Sequence, residues 1–394
     1  MTTTNERLQE VKSYFDHGDT HVGYRRLLDS AIETQDSLVF ENTLEFCDWY
    51  DNYQLSTQKN PSALNEKVTA LLEKINAADQ RFLPAPEEAV IKMEGVRKTY
   101  QKGNFRLGEI NAELFPRQII GLVGENGNGK TTLLRLLYGE LRPDQGTVSY
   151  HIKGLPVTSS FYDIKTRLSF IPQRPDAWYG SLKDNLQFTA THYGYKGKDN
   201  QLWTEMICAR MGLRAFRTYN WNRISSGYKM RFELAKAIIK KPQVLLLDEP
   251  LANLDMLAQQ VILEDLRFLA ESAKMPIGII LSSQQLYEVE KVSQQVIFLK
   301  NGQPKYQHMG TAEGGERTEE PMVFEIETSA SREQLQEAFA QTGLQNINFN
   351  GGVYLLYFKT SVSASEVISR LGSSGIPVKY FRDISTSSRR FFNA

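Results

Sequence analysis

The sequence predicts an α/β core, preceded by an all-α segment and followed by a small α+β unit. Three observations predict it. An apolar run, Ile119-Ile120-Gly121-Leu122-Val123, leads into a glycine-rich stretch, Gly124-Glu125-Asn126-Gly127-Asn128-Gly129-Lys130-Thr131. A helical pattern follows, Thr132-Leu133-Leu134-Arg135-Leu136-Leu137. From Ala89 to about Gln307, short strands alternate with helices, the pattern of a sheet covered by helices. The periodicity is helical before this region and mixed after it.

Taken in order, residues from about Asn5 to Ala77 carry apolar stripes at helical spacing. Leu8, Val11 and Phe15 share one face, and Tyr24, Leu27, Leu28 and Ile32 share another. Further stripes lie around Leu44 and Trp49 and through Leu64, Val68, Leu71, Leu72 and Ile75. Asp19 and Thr20 suit the cap of the second helix, and Pro61-Ser62 suits the start of the fourth. The expectation is a helical N-terminal domain over 1–80, packed as a bundle or as helical hairpins. Gln80 to Glu88, with Pro84 and Pro86, reads as a linker. The core is expected over 89–308, and Gly310 to Pro321, rich in Gly, Glu and Thr, reads as a second linker. A small C-terminal domain is expected over 322–394. Its elements read strand (Met322–Ile326), helix (Arg332–Thr342), strand (Leu344–Asn348), strand (Val353–Lys359), helix (Ser363–Leu371) and strand (Pro377–Phe381). Asn350-Gly351-Gly352 suits a hairpin turn between the middle strands. The order βαββαβ is the ferredoxin-like arrangement.

Composition narrows the function classes. The formal net charge is zero, so charge alone gives no support for nucleic-acid binding. Cys47 and Cys208 lie far apart without a C-x-x-C pattern, which predicts free thiols in a reducing compartment rather than a disulfide or zinc site. Met1 to Arg7 has no apolar stretch of the signal-peptide kind. No run approaches the ~18 uninterrupted apolar residues of a spanning helix. A cytosolic protein is expected, with any membrane role exerted through a partner.

The chemistry lies in the motifs. A strand, a glycine loop and a helix N-terminus form an anion cradle. Backbone N–H groups point at phosphate oxygens, and the helix dipole favours negative charge. Lys130 is placed to reach the β- and γ-phosphates and the Thr131 hydroxyl to ligate Mg2+, so a bound nucleoside triphosphate is expected. Val244-Leu245-Leu246-Leu247-Asp248-Glu249-Pro250 is an apolar strand ending in acids. Asp248 suits Mg2+, directly or through water, and Glu249 suits the attacking water. Such sheets bind ligands at the carboxyl ends of their strands. The blander alternative is a buried strand with two solvated acids. Ile224-Ser225-Ser226-Gly227-Tyr228-Lys229-Met230-Arg231 opens a helix, Phe232 to Lys240, and is another anion-binding terminus.

Together these motifs resemble the ATP-binding cassette (ABC) ATPases, from Ala89 to about Gln307. The resemblance implies a P-loop NTPase core with a helical subdomain at about 174–225, using ATP and Mg2+. It implies a head-to-tail dimer in which the signature of one subunit meets the γ-phosphate held by the P-loop of another. Nucleotide contacts then fall to Tyr100, stacked on adenine, and to Gly124, Asn126, Gly127, Gly129, Lys130, Thr131 and Thr132. Ser225, Ser226 and Gly227 match the signature, and Asp255, in Leu251-Ala252-Asn253-Leu254-Asp255, matches the loop that crosses the dimer interface. Gln173, in Phe170-Ile171-Pro172-Gln173-Arg174-Pro175, matches the Gln loop that senses Mg2+ and the γ-phosphate. The implied metal set is Thr131, Gln173 and Asp248, and the implied catalytic set is Glu249, Gln284, Gln173 and Lys130. The chain departs from the family in two places. Ser226 and Tyr228 stand where Gly and Gln are commonest, a variant resembling exporter ATPases. In Ile280-Leu281-Ser282-Ser283-Gln284-Gln285-Leu286, Gln284 stands where the family usually has His. Gln can bond a phosphate oxygen but has no proton that titrates near neutral pH, so reduced hydrolysis is expected.

What the nucleotide drives is open between two readings. In the first, the chain resembles the separate ATPase subunit of an ABC exporter, a homodimer or paralogous pair seated on a transmembrane permease at the inner face of the membrane. Trp178, Tyr179 and Leu182 would then lie near the groove for the permease, although single residues of this kind more often serve local packing. In the second, it is a nucleotide-gated dimerisation switch or scaffold with slow hydrolysis. The Arg389-Arg390-Phe391-Phe392 end suits a solvated basic tail better than a partner contact.

Overall fold

The structure, a computed structural model, describes residues 4–78, 88–100, 105–156, 158–272, 274–308, 322–340, 342–350, 352–359 and 362–385. The linker readings over 80–87 and 310–321, Gly351 of the hairpin turn and the Arg389–Phe392 end lie outside the described residues.

Four helices open the chain: α1 (Thr4–Asp16), α2 (Thr20–Thr34), α3 (Ser37–Leu55) and α4 (Pro61–Ala77). Leu8, Val11 and Phe15 are buried, as are Leu64, Val68, Leu71, Leu72 and Ile75, so the i, i+3, i+7 stripes are the packed faces. Asp36 caps α3 by accepting from the Val39 N–H, and Asn60 caps α4 ahead of Pro61. Asp19 occupies the N-cap of α2, but its side chain makes no cap bond. These helices do not stand apart. One apolar core runs from Leu8 through Phe40, Trp203 and Phe232 to Phe298, and the Phe40 and Trp203 rings stack at 5.9 Å.

The middle of the chain gives β1 (Ile91–Thr99), β2 (Arg106–Leu114), β3 (Ile119–Val123), α5 (Lys130–Leu137), β4 (Gln145–Tyr150), α6 (Phe161–Lys165), β5 (Leu168–Ile171), α7 (Leu182–His192) and α8 (Gly197–Arg210). It continues with α9 (Ser226–Ile239), β6 (Val244–Leu247), α10 (Met256–Ala270), β7 (Gly278–Ser283), α11 (Leu286–Glu290), β8 (Gln295–Lys300) and β9 (Gln303–His308). A small antiparallel sheet has the order β2-β1-β4, and the main sheet has the order β5-β6-β7-β3-β8-β9. All pairings in the main sheet are parallel except β8–β9. Every residue of β3, β6 and β7 is buried, which is why β3 and β6 read as apolar runs rather than alternating ones. Helix α9 starts at Ser226, six residues before the start expected at Phe232, because Ser225 caps it by accepting from the Tyr228 N–H.

The C-terminal part runs β10 (Met322–Thr328), α12 (Arg332–Ala338), β11 (Leu344–Asn350), β12 (Val353–Phe358), α13 (Ala364–Ser373) and β13 (Val378–Asp383). Its antiparallel sheet has the order β11-β12-β10-β13. Capping boxes start both helices, Ser331 with Gln334 and Ser363 with Glu366. Phe324, Ile326, Leu356 and Phe358 from the sheet pack against Leu335, Val367 and Leu371 from the helices.

Candidate functional site

The strand order builds the site. Strands β5, β6, β7 and β3 are adjacent and parallel, so their carboxyl ends lie side by side. Past β5 comes Gln173, past β6 come Asp248 and Glu249, at the end of β7 stands Ser282 followed by Gln284, and past β3 begins Gly124. Four segments that are distant in sequence thus converge on one crest.

The glycine loop is shaped by close approach. A Cβ on Gly124 would lie 2.5 Å from the Leu299 carbonyl oxygen, and Gly129 adopts φ +98° with the Phe105 ring 2.7 Å from where its Cβ would be. Neither position takes a side chain without moving its neighbours. Lys130, 4% exposed, folds back over the loop. Its Nζ donates to the carbonyls of Gly124 at 2.7 Å and Glu125 at 3.2 Å, and pairs with Glu249 Oε1 at 3.1 Å. The Thr131 hydroxyl donates to Asp248 Oδ2 at 2.7 Å. Glu249 Oε2 accepts from the Gln173 amide at 2.7 Å and from the Gln284 amide at 2.8 Å. The structure therefore brings together Lys130, Thr131, Gln173, Asp248, Glu249 and Gln284. Its hard oxygens, one carboxylate beside one hydroxyl, suit a cation that completes its shell with water and phosphate, which is the habit of Mg2+. Among the described residues, no group of three or more His, Cys, Asp or Glu forms a metal cage.

One member was missed by sequence reasoning. The Ser282 hydroxyl is buried between the acids, donating to Asp248 Oδ1 at 2.8 Å and accepting from the Glu249 N–H at 2.8 Å. The available signal was a Ser-Ser pair ending an otherwise apolar strand. Beside it, the Ser283 hydroxyl donates to the buried Glu288 carboxylate at 2.8 Å. Burial pushes the Glu288 carboxyl up, against the Ser283 hydrogen bond that lowers it.

The other expected residues lie in two places, Tyr100 beside the glycine loop and the serines with Asp255 at the starts of α9 and α10. Tyr100 is exposed at the edge of the loop, its ring 6.3 Å from Phe105, which itself lies against Gly129. Ser225 caps α9, Asp255 caps α10, and the Ser226 hydroxyl donates to the Asn253 carbonyl at 3.1 Å. The serine that departs from the family's usual glycine thus ties the signature turn to the loop after the acidic strand. A Cβ on Gly227 would meet only Ala258, at an ordinary 3.5 Å, and the Ser225 hydroxyl at 4.0 Å. In the segment after Gln173, Tyr179 is fully exposed, whereas Leu182 is buried and Trp178 packs under the Lys236 ammonium. Leu182 is thereby a core residue and offers nothing to a surface groove.

Comparison with known proteins agrees with this geometry. Residues 107–252 match the family model described as ABC transporter. A putative ABC transporter ATP-binding protein of Listeria monocytogenes serotype 4b is 29% identical over 216 residues, which is 54% of this chain and 80% of that protein. The ABC transporter ATP-binding protein NatA of Bacillus subtilis is 28% identical over 191 residues, 48% of this chain and 76% of NatA. The Nod factor export ATP-binding protein I of Paraburkholderia xenovorans is 29% identical over 219 residues, 55% of this chain and 69% of that protein. Among solved structures, cbiO1 from Clostridium perfringens, part of the ABC transporter complex cbiONQ, superposes with a TM-score of 0.51 at 22% identity, covering 56% of this chain and 88% of that one, a likeness of fold. Residues 107–252 thus match the ABC transporter family, and the relatives similar to this region are ATP-binding subunits of a family that implies ATP hydrolysis.

Proposed function

We propose that this cassette is the ATP-hydrolysing subunit of an ABC exporter, acting as a head-to-tail dimer on a separate membrane permease. The observation that carries the reading is the convergence of Lys130, Thr131, Gln173, Asp248, Glu249 and Gln284 on one sheet crest. Lys130 and the loop N–H groups hold the triphosphate of ATP, and Tyr100 stacks on its base. Thr131 and Asp248, with Gln173 beside them, hold Mg2+, which when bound screens the phosphate charge. The Glu249 carboxylate accepts a proton from the attacking water, and the amides of Gln173 and Gln284 fix the direction in which it points. Ser225, Ser226, Gly227 and Asp255 face the partner's nucleotide. Gly227 is compatible with the dimer, since its own chain makes only ordinary contacts there and leaves its backbone open to a partner's phosphate. The helical N-terminal domain over 1–80 and the ferredoxin-like domain over 322–394 flank the cassette at 89–308. Among the described residues no helix is long and apolar enough to cross a membrane, so the reading requires a permease and a peripheral position on the inner face. Export is supported by the Ser-Ser-Gly signature and by the relative named for Nod factor export.

A second reading, a nucleotide-gated switch with slow hydrolysis, is favoured by one observation, the amide of Gln284 at the place of the usual imidazole. One experiment separates the two. Tagged Glu249→Gln protein is captured from detergent-solubilised membranes with ATP and its partners identified by mass spectrometry. A stoichiometric multi-spanning protein is expected. A bare homodimer, or soluble partners alone, gives the switch.

A further inference from the structure

We infer that Ser282 is a positioning residue for hydrolysis, its one hydroxyl setting the water-side acid and the metal-side acid in register. The inference rests on the ATPase reading of the site. Glu249 has φ +48°, a left-handed conformation that a residue with a side chain seldom adopts. That turn points its N–H into the protein, where a buried donor needs a partner. Ser282, fully buried at the end of β7, supplies it at 2.8 Å. With its lone pair so engaged, the hydroxyl proton goes to Asp248 Oδ1, also at 2.8 Å. Asp248 Oδ2 takes the Thr131 hydroxyl at 2.7 Å. Both Asp248 oxygens are therefore held from opposite sides, one by the glycine-loop helix and one by Ser282.

The consequence is a rigid chain, Glu249 N–H to Ser282 hydroxyl to Asp248 carboxylate. The Glu249 backbone cannot relax out of its strained conformation, nor Asp248 swing, without breaking a bond to the same oxygen. The two neighbouring acids differ in task, so their relative placement fixes the attacking water against the cation. An apolar side chain at 282 leaves the Glu249 donor and the Asp248 acceptor unsatisfied together. Substitutions in such supporting groups cost ~10–100-fold in metal affinity or activity.

The test uses purified full-length protein and a fluorescent ATP analogue. Binding is titrated in EDTA and then against Mg2+, and kcat and KM follow. For Ser282→Ala the expected result is wild-type analogue affinity in EDTA, a Mg2+ midpoint raised ~10-fold and kcat lowered ~10–100-fold with KM little changed. Ser282→Thr keeps the hydroxyl on a residue suited to a strand and is expected to restore the Mg2+ midpoint and kcat. Where the alanine variant does not fold, Ser282→Cys, close in shape but a weak donor, replaces it with the same expectation. A wild-type Mg2+ midpoint and kcat in the alanine or cysteine variant overturns the assignment. So does a threonine variant as impaired as alanine, since packing rather than the hydroxyl would then be responsible. Lys130→Ala, run alongside, tests the ATPase reading separately. If it binds the analogue as wild type does, that reading fails, whereas its loss of binding beside a normal Ser282→Ala sinks the role of Ser282 alone.

Discussion

Lys130 is heavily committed at the site, bonded to two loop carbonyls and to Glu249. Replacing it with alanine removes a charged hydrogen-bond donor worth about 1.5–3 kcal/mol, so ATP affinity is expected to fall ~10–100-fold in a direct titration. Gln284 poses the opposite case. It donates to Glu249 at 2.8 Å but has no proton to exchange. Gln284→His is expected to raise kcat by up to ~10-fold, about 1.4 kcal/mol of barrier, and steady-state turnover at saturating ATP reads it directly. A fall would mean that the amide already serves the position well. The cysteines are inert by burial, which pushes the Cys47 thiol up to about 11 and the Cys208 thiol up to about 12. An aromatic disulfide reagent at mild alkaline pH is expected to leave both untouched in native protein and to titrate both after denaturation.

At the scale of elements, the N-terminal helices are joined to the cassette by a buried charge cluster. Asp265 of α10 receives Arg210 of α8 at 2.6 Å and is also paired with Arg25 of α2, while Arg210 reaches Asp29 of α2. Burial pushes the Asp265 carboxyl up, but the guanidiniums of Arg210 and Arg25 outweigh it and hold it below the usual carboxylate range. A depressed folded-state pKa gives stability that is present above the ordinary carboxylate pKa and lost as pH falls through the lower, folded value. Asp265→Asn leaves two buried cations short of a partner and is expected to cost ~3–5 kcal/mol, seen as an earlier midpoint in urea at neutral pH. In acid the gap to wild type should close. None of this docking was legible in the chain. Stripes such as Leu64-Val68-Leu71 reveal which face is buried, but not that Trp203, over a hundred residues on, shares the same core. The elements themselves were legible where the pattern was strong, as in the apolar runs of β3 and β6 and the helical stripe of α4. They were less so at ends decided by a cap, as at Ser225, or where α12 stops at Ala338 instead of Thr342. In the site, the glycine loop and the acids announced themselves through glycine and carboxylate patterns. Ser282 did not, because a lone buried hydroxyl acquires meaning only from the neighbours that strand order gives it.

For the whole molecule, the proposed dimer makes a clean demand on Gly227. Alanine there meets only ordinary contacts within the chain, so Gly227→Ala is expected to fold and to bind ATP as a monomer. A methyl facing the partner's γ-phosphate should nevertheless prevent ATP-dependent dimerisation of Glu249→Gln protein, as read by light scattering, and hydrolysis should fall with it. Unchanged dimerisation would remove the signature from the interface. The Lys130–Glu249 pair carries a consequence of another kind. On the proposed reading the same ammonium that pairs with the Glu249 carboxylate also meets the triphosphate, so binding would exchange one counter-ion for another. Glu249→Gln then does more than remove the proposed base. It removes the competing anion, and a non-hydrolysable ATP analogue should bind it more tightly than wild type. The tendency to remain trapped with nucleotide would have two sources, blocked turnover and a rival charge withdrawn.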